Sequence, residues 1–426
     1  MRHSGVLASF GLIWTITAGA TLIQVANGLL QILLPLRMEA AAIPISGIGW
    51  VASAYGLGFA VGCLAAPALV RHVGYIRAFS SMAAIACVVV LSFTRAEALW
   101  EWIVLRILSG LALAGLFTII DGWVSARATT GNRGRVVSLY MICTKIALML
   151  SPLAIGLGSI ERDGLFMLVA ALMCLSLLPV SATISEEPRA PRSVRIIVPQ
   201  LFRIAPSAIV GAFAVGLMNG AVIAITPVYG VRLGLAPEAA ALLVLAVQAG
   251  SLLFQWPLGW LSDMTDRRKV IAGLAAGTAL ACGAVVWASA GTNPTILLLA
   301  FGFWGGMALC VYAVCVAHAC DLVEPDQIVP AISSLLVCWA FGSMIGPAPA
   351  TFLMEAVGPQ GLFYYCGTIA LALFGFVLAR IFKRDRPKSA GGFVNMPATS
   401  AAVSDLSPRA EPEDEPAVGP RDPDRP

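Results

Sequence analysis

This chain is short of charge. Only 12% of its 426 residues are Asp, Glu, Lys or Arg, and histidine occurs three times. A water-soluble fold of this length needs far more polar surface, so that class is excluded. There is no His-Glu-x-x-His and no Gly-x-Ser-x-Gly, which removes the common zinc-protease and hydrolase signatures, and no enzyme is expected. No Gly-x-x-x-x-Gly-Lys-Ser/Thr loop is present, which argues against ATP-driven pumping. The ten cysteines form no Cys-x-x-Cys pair and lie inside apolar runs, so they read as membrane-packing residues. Cys315, His318 and Cys320 lie close together but lack a further thiol or carboxylate at ligand spacing, and neither metal nor cofactor is expected. The net charge of +4 is modest and gives no basis for a nucleic-acid partner.

What fills the chain instead is hydrocarbon. Hydrophobic residues make up 59% of it and the mean hydropathy is +0.87. Twelve apolar runs of spanning length follow one another, from residues 9–36 to residues 362–382. The first is too long for a secretory signal and lacks a clear small-residue cleavage site. The expected class is therefore an all-α integral membrane protein with the lipid bilayer as its solvent. Alternate connections, with the N-terminus and the C-terminal flank 383–388, carry 17 Lys and Arg, and the opposite connections carry four: Arg37, Arg95, Arg162 and Arg232. The positive-inside rule then places both termini in the cytoplasm. The polar, proline-bearing segment 185–203 divides residues 1–184, an N-terminal six-helix bundle, from residues 204–382, a C-terminal one. Residues 383–426, rich in Pro, Ala, Asp and Glu, are expected to be a disordered cytoplasmic tail.

The halves repeat. Asn27-Gly28 with Pro35 and Asn219-Gly220 with Pro227 match at an offset of 192 residues, as do Gly58 with Gly250 and Arg77 with Lys269. Ser151-Pro152 pairs with Gly346-Pro347 at 195. Six spans return the chain to its starting side, so these are parallel repeats. Between two apolar runs, Gly259-x-x-x-Asp263-x-x-Asp266-Arg267-Arg268 resembles the cytoplasmic loop motif of the major facilitator superfamily, with Asp266 where Gly is commoner. Gly259 permits close helix approach, and Asp266 is placed to cap the helix that follows. Asp121-Gly-Trp123 with Arg133-Gly-Arg-Val-Val-Ser-Leu-Tyr-Met141, and the stretch from Pro67 to Arg77, look like the YcaD-like branch of bacterial transporters. The resemblance implies a monomeric solute transporter with spans 1, 4, 7 and 10 around a central cavity and 2, 5, 8 and 11 flanking it.

Polar residues on spans cost free energy against lipid, so their stripes mark the interior. Thr17, Thr21, Gln24 and Gln31 form one stripe on span 1, and Gln248, Ser251 and Gln255 another on span 8. Gln24, Gln31, Gln248 and Tyr229 are the expected cavity residues, whereas Asn27 and Asn219, beside repeated glycines, read as structural. Arg106-x-x-x-Gly110 resembles the superfamily's pattern on span 4, and Arg106 sits about 10 Å along it. Lys145, near the midplane of span 5, is expected to attract an anionic or carboxylate-bearing solute or to pair with Asp121. Asp121 is the only carboxylate well inside a span and the candidate for proton coupling. The resemblance implies that span 2 neighbours span 11 and span 5 neighbours span 8, which would face basic N-half connections with acidic C-half ones as a cytoplasmic gate: Arg71 opposite Asp321, Glu324 or Asp326, and Arg135 opposite Asp263 or Asp266, beside Gly259 and Arg267.

The expected function is secondary active transport of a small organic solute by alternating access, with protons as the candidate coupling ion. An uncoupled facilitator, or a receptor or sensor on a transporter scaffold, are the alternatives.

Overall fold

In lipid every backbone N–H and C=O must find its partner within the segment, and twelve runs of this length answer with twelve helices. A computed structural model describes residues 2–127, 133–181, 196–291 and 293–383, with side chains from residue 14 onward and excluding 125–135 and 383. Its spans are α1 (Trp14–Ala40), α2 (Ile45–Val73), α3 (Tyr75–Arg95), α4 (Leu99–Val124), α5 (Val136–Leu157), α6 (Gly164–Ser181), α7 (Pro206–Arg232), α8 (Pro237–Met264), α9 (Arg267–Ser289), α10 (Pro294–Cys320), α11 (Pro325–Val357) and α12 (Gly361–Phe382). Large apolar side chains stand exposed along their outer faces, Leu253 and Leu280 among them, as a bilayer requires. Exposed tryptophans mark two belts: Trp50, Trp100 and Trp287 at one end of the bundle, Trp14, Trp256 and Trp260 at the other. These ends are called the Glu39 end and the Arg267 end below.

The repeat read from the sequence governs the packing. In the first half α2 lies along α4, α3 along α4 and α6, and α1 along α5 and α6. In the second half α8 lies along α10, α9 along α10 and α12, and α7 along α11 and α12. Each pairing is the other's counterpart. Glycine makes the closest one possible: a Cβ on Gly58 would overlap the carbonyl oxygen of Ile107, and one on Gly250 that of Gly302. The prolines repeat as well. The α-helical part of α5 gives way at Ser151-Pro152 to a 3-10 stretch, Ser151–Leu157, and α11 restarts at Pro347. Proline cannot donate to the preceding turn, so both helices change course at matched depth.

Contacts between the halves are uneven. The final part of α11, Pro347–Val357, packs densely on the start of α2, and Ser151–Leu157 of α5 on α8. Trp50 and Phe352 meet edge to face there, at 6.3 Å between centroids. Nearer the Arg267 end the same helix pairs touch less. At the Glu39 end an ion pair closes the seam: Arg232 donates through Nε to Glu39 Oε1 at 2.8 Å and through Nη2 to Oε2 at 3.1 Å.

Part of the expected linker is ordered structure and not a free connection. The Ile197 N–H donates to Ser334 Oγ at 2.8 Å, and a short helix, Val198–Ile204, follows it. Residues 185–195 and the tail beyond 383 lie outside the described residues.

Candidate functional site: a cavity between the halves

On α1, Gln24, Asn27 and Gln31 are spaced i, i+3 and i+7, which stacks them on one face. That face looks into a cavity of about 210 Å³ between the halves. α2 adds Tyr55 and Phe59, α4 adds Arg106 and Phe117, and α5 adds Leu148 and Ser151. From the second half come Asn219 on α7, Gln248 on α8, and Trp339 and Ser343 on α11. Four of the expected residues are thus brought together: Gln24, Gln31, Arg106 and Gln248. α10 contributes none of the lining residues, contrary to the arrangement implied by the resemblance, because it is packed behind α7 and α8.

Arg106 is the centre of this site. Its side chain is buried, its Nη2 donates to Gln31 Oε1, and its guanidinium lies 4.4 Å from the centroid of the Tyr55 ring. Nε and Nη1 are buried with no partner among the described residues, as are Gln24 Oε1, Asn27 Oδ1 and Asn219 Oδ1. Leaving such atoms unpaired costs ~1–3 kcal/mol each. A wall that holds several at once is built to receive something polar, water or solute.

Asn27 and Asn219 correct their structural reading. The neighbouring glycines do the packing: a Cβ on Gly28 would overlap Ser151 Oγ, and one on Gly220 the Ser343 carbonyl oxygen. The asparagines themselves line the cavity. The repeated Asn-Gly pair was the available signal. Tyr55, Phe59, Phe117 and Trp339 gave none, since aromatics on an apolar helix look alike whether they face lipid, core or cavity.

Three expected site residues stand elsewhere. Tyr229 is buried between Phe301 and Phe363, at ring-centroid distances of 5.8 and 5.3 Å, and does not line the cavity. Ten residues beyond Asn219 is about 280° of helical rotation, which turns it toward α10 and α12. Lys145 is also off the cavity wall: Nζ donates to Gln255 Oε1 on α8 at 3.0 Å, not to Asp121. Asp121 is fully buried and accepts a hydrogen bond from Tyr140 Oη at 2.6 Å.

At the Arg267 end the loop motif forms a knot within its own half. Arg267 is buried and donates to Asp321 Oδ2 at 2.5 Å, Asp263 Oδ1 at 3.1 Å and Ser262 Oγ at 3.1 Å, tying the ends of α8, α9 and α10. Asp266 caps α9 as expected, accepting from the Arg268 backbone N–H at 3.0 Å and from its guanidinium. Burial pushes the Asp266 carboxyl up, but the hydrogen bonds and charge of Arg268 outweigh it and hold the group below its ordinary value. Gly259 is buried in α8 beside this knot. The expected pairing of Arg71 is not seen: Asp321 binds Arg267 in its own half, and Arg71 is exposed with no ion pair among the described residues. The side chain of Arg135 lies outside the described residues.

The family model described as Major Facilitator Superfamily matches residues 16–235 and again 208–410. The uncharacterized MFS-type transporter YcaD of Salmonella typhi is 26% identical over 377 residues, covering 87% of this chain and 96% of that protein. Its counterpart in Salmonella arizonae is 25% identical over 360 residues, with 83% and 91% covered. Among solved structures, the nucleoside transporter NupG superposes with a TM-score of 0.74 at 16% identity, over 88% of this chain and 100% of that one. A bacterial homologue of the human lysosomal transporter Spinster, inward-facing and unoccupied, gives 0.72 at 14% identity over 90% and 99%. Identities this low speak for the fold alone. The family match falls on both halves in succession, in a chain whose halves repeat helix for helix around a shared polar cavity. The chain therefore belongs to the Major Facilitator Superfamily, with the YcaD-like transporters, and is a multi-pass membrane protein that transports a solute.

Proposed function

We propose that this protein carries a small organic solute across a bacterial inner membrane by alternating access, with both termini in the cytoplasm. The supporting observation is a polar cavity walled by both halves, with the contacts between halves concentrated on one side of it. Seventeen Lys and Arg on one set of connections, the N-terminus and the flank 383–388 included, against four on the other favour the Arg267 end as the cytoplasmic one. On that assignment the Glu39 end is the closed periplasmic side and the conformation faces inward, like the Spinster homologue described as inward-facing and unoccupied. Arg71, Arg135, Asp263, Asp266 and Arg267 then sit at the open end.

Among the described residues the cavity wall holds no carboxylate and no imidazole. That favours a second reading, an uncoupled facilitator, over proton-coupled transport through the wall itself. Asp121 remains the candidate for coupling by a route outside the cavity.

A thermal-shift screen of the purified protein finds solutes that bind the native state. Each is then followed into proteoliposomes with and without a pH gradient. Accumulation above the external concentration only with the gradient supports coupling, and equilibration alone supports facilitation. Loss of flux in Asn219→Leu, with the protein still monodisperse, places the path in the cavity. Unchanged flux there sinks the reading.

A further inference from the structure

Among the described residues the buried cation on the cavity wall has no countercharge, and that is the opening for a ligand. Arg106 is 2% exposed, and its neighbours there are an amide and a phenol ring, Gln31 and Tyr55. No lining residue among those described is Asp or Glu. A guanidinium stays protonated in a protein, so the site carries a full positive charge with little water around it. Such a charge is costly unless something anionic completes it.

We infer that the cavity takes an organic monocarboxylate with an apolar body, anchored through its carboxylate by Arg106. The inference rests on the reading of the cavity as the solute site and names the class of solute. Three observations carry it. The first is the unpaired cation. The second is its open fork: Nη2 has two hydrogens and Gln31 accepts one, while Nε and Nη1 have no partner. One edge of the guanidinium is therefore left for both oxygens of a carboxylate. The third is the rest of the wall. Phe59, Phe117 and Trp339 supply apolar surface for a hydrocarbon or aromatic body. The unpaired amide oxygens of Asn27 and Asn219, on the same wall, accept from a hydroxyl or N–H on that body.

Charge count selects a monoanion. Arg106 is the single Lys or Arg on the described wall, so a phosphate or dicarboxylate would bring a second negative charge with no partner. Gln31 and Tyr55 act as positioning residues: the amide fixes the fork, and the ring face supports the cation.

The test uses the full chain purified in detergent and pairs of probes matched in shape: phenylacetate with phenylacetamide, hexanoate with hexanamide, and a wider panel of aliphatic and aromatic monocarboxylates. Melting temperature and tryptophan fluorescence are read against concentration. The expected result is binding of at least one carboxylate at least tenfold tighter than its neutral amide. Arg106→Gln brings the pair to equal affinity. Arg106→Lys keeps the preference but weakens binding about tenfold, because an ammonium cannot offer the fork. This variant carries the test if Arg106→Gln does not fold. Equal affinity for acid and amide in the wild type, preference surviving Arg106→Gln, or undiminished binding in Arg106→Lys overturns the proposal. So does a panel in which no monocarboxylate binds. If neutral solutes bind and Asn219→Leu abolishes that binding, the cavity remains the solute site and only the anion assignment falls. If no solute of either charge responds to cavity variants, both readings fall together.

Discussion

Lys145 on α5 and Gln255 on α8 join the two halves through a single hydrogen bond of 3.0 Å. Along α5 the residues that line the cavity, Leu148 and Ser151, come after Lys145, and along α8 Gln248 comes before Gln255. The bond therefore crosses the seam on the Arg267 side of the cavity. A lysine that looks from the sequence like a solute ligand is, in this state, a strut. If the halves part further at this end, the bond breaks; if they rock shut, it is a contact already in place.

Loss of the strut shifts the balance between states. Interhelical hydrogen bonds in membranes contribute ~0.6–2 kcal/mol, so Lys145→Ala should slow transport about three- to thirtyfold with little change in solute affinity. Gln255→Ala should cost the same, and the double variant no more than either alone, since both remove one bond. Costs that add fully in flux measurements would mean the two residues act separately.

The Glu39–Arg232 pair makes an opposite prediction at the other end. Its side chains are 19% and 31% exposed, and pairs of that kind contribute ~0–1 kcal/mol. Arg232→Gln should therefore change flux less than about fivefold. Arg232→Glu places like charges at the seam and should reduce flux more, with recovery when Glu39→Arg is added. Failure of the swap to recover would show that the ion pair does not hold this end closed.

Asp121 and Tyr140 join α4 to α5 inside the first half. Breaking a buried hydrogen bond to a charged group costs ~1.5–3 kcal/mol, so Tyr140→Phe should lower the melting temperature without altering the pH dependence of flux. Asp121→Asn separates a structural role from coupling. Gradient-driven accumulation that survives it, at reduced stability, removes Asp121 from any proton path.

Close packing of α8 on α10 depends on Gly250, where a Cβ would strike the Gly302 carbonyl oxygen. Gly250→Ala must push the helices apart, at ~1–3 kcal/mol, and should reduce the yield of monodisperse protein. A Cβ on Gly283 would meet nothing within 4 Å, so Gly283→Ala should be neutral or slightly stabilising. Equal tolerance at both positions in size-exclusion and melting assays would contradict the packing account.

Much of the architecture is legible along the chain. Twelve spans, two matched halves and the bilayer setting follow from run length and the 192-residue offset, because lipid leaves the backbone few choices. The stripe of Gln24 and Gln31 reached the cavity, since a polar side chain on a span has nowhere cheaper to go. Asp266 as the cap of α9 followed from its place before Arg267. Tyr229 failed because its direction depends on which side of α7 meets α10 and α12, and an aromatic is at home on any of them. Lys145 and Asp121 failed as a pair because spacing along two helices says nothing of how they are rotated against each other.

The sequence alone determined the membrane class, the family and the repeat, all of which depend on short-range pattern and on the cost of polarity in lipid. Tertiary structure decided partners. Arg267 could have met either half and binds Asp321 and Asp263 in its own; Glu39 and Arg232, 193 residues apart, meet across the seam. It also decided that Arg106 has no carboxylate beside it among the described residues, a fact about what surrounds a charge in space that no order of residues along the chain contains.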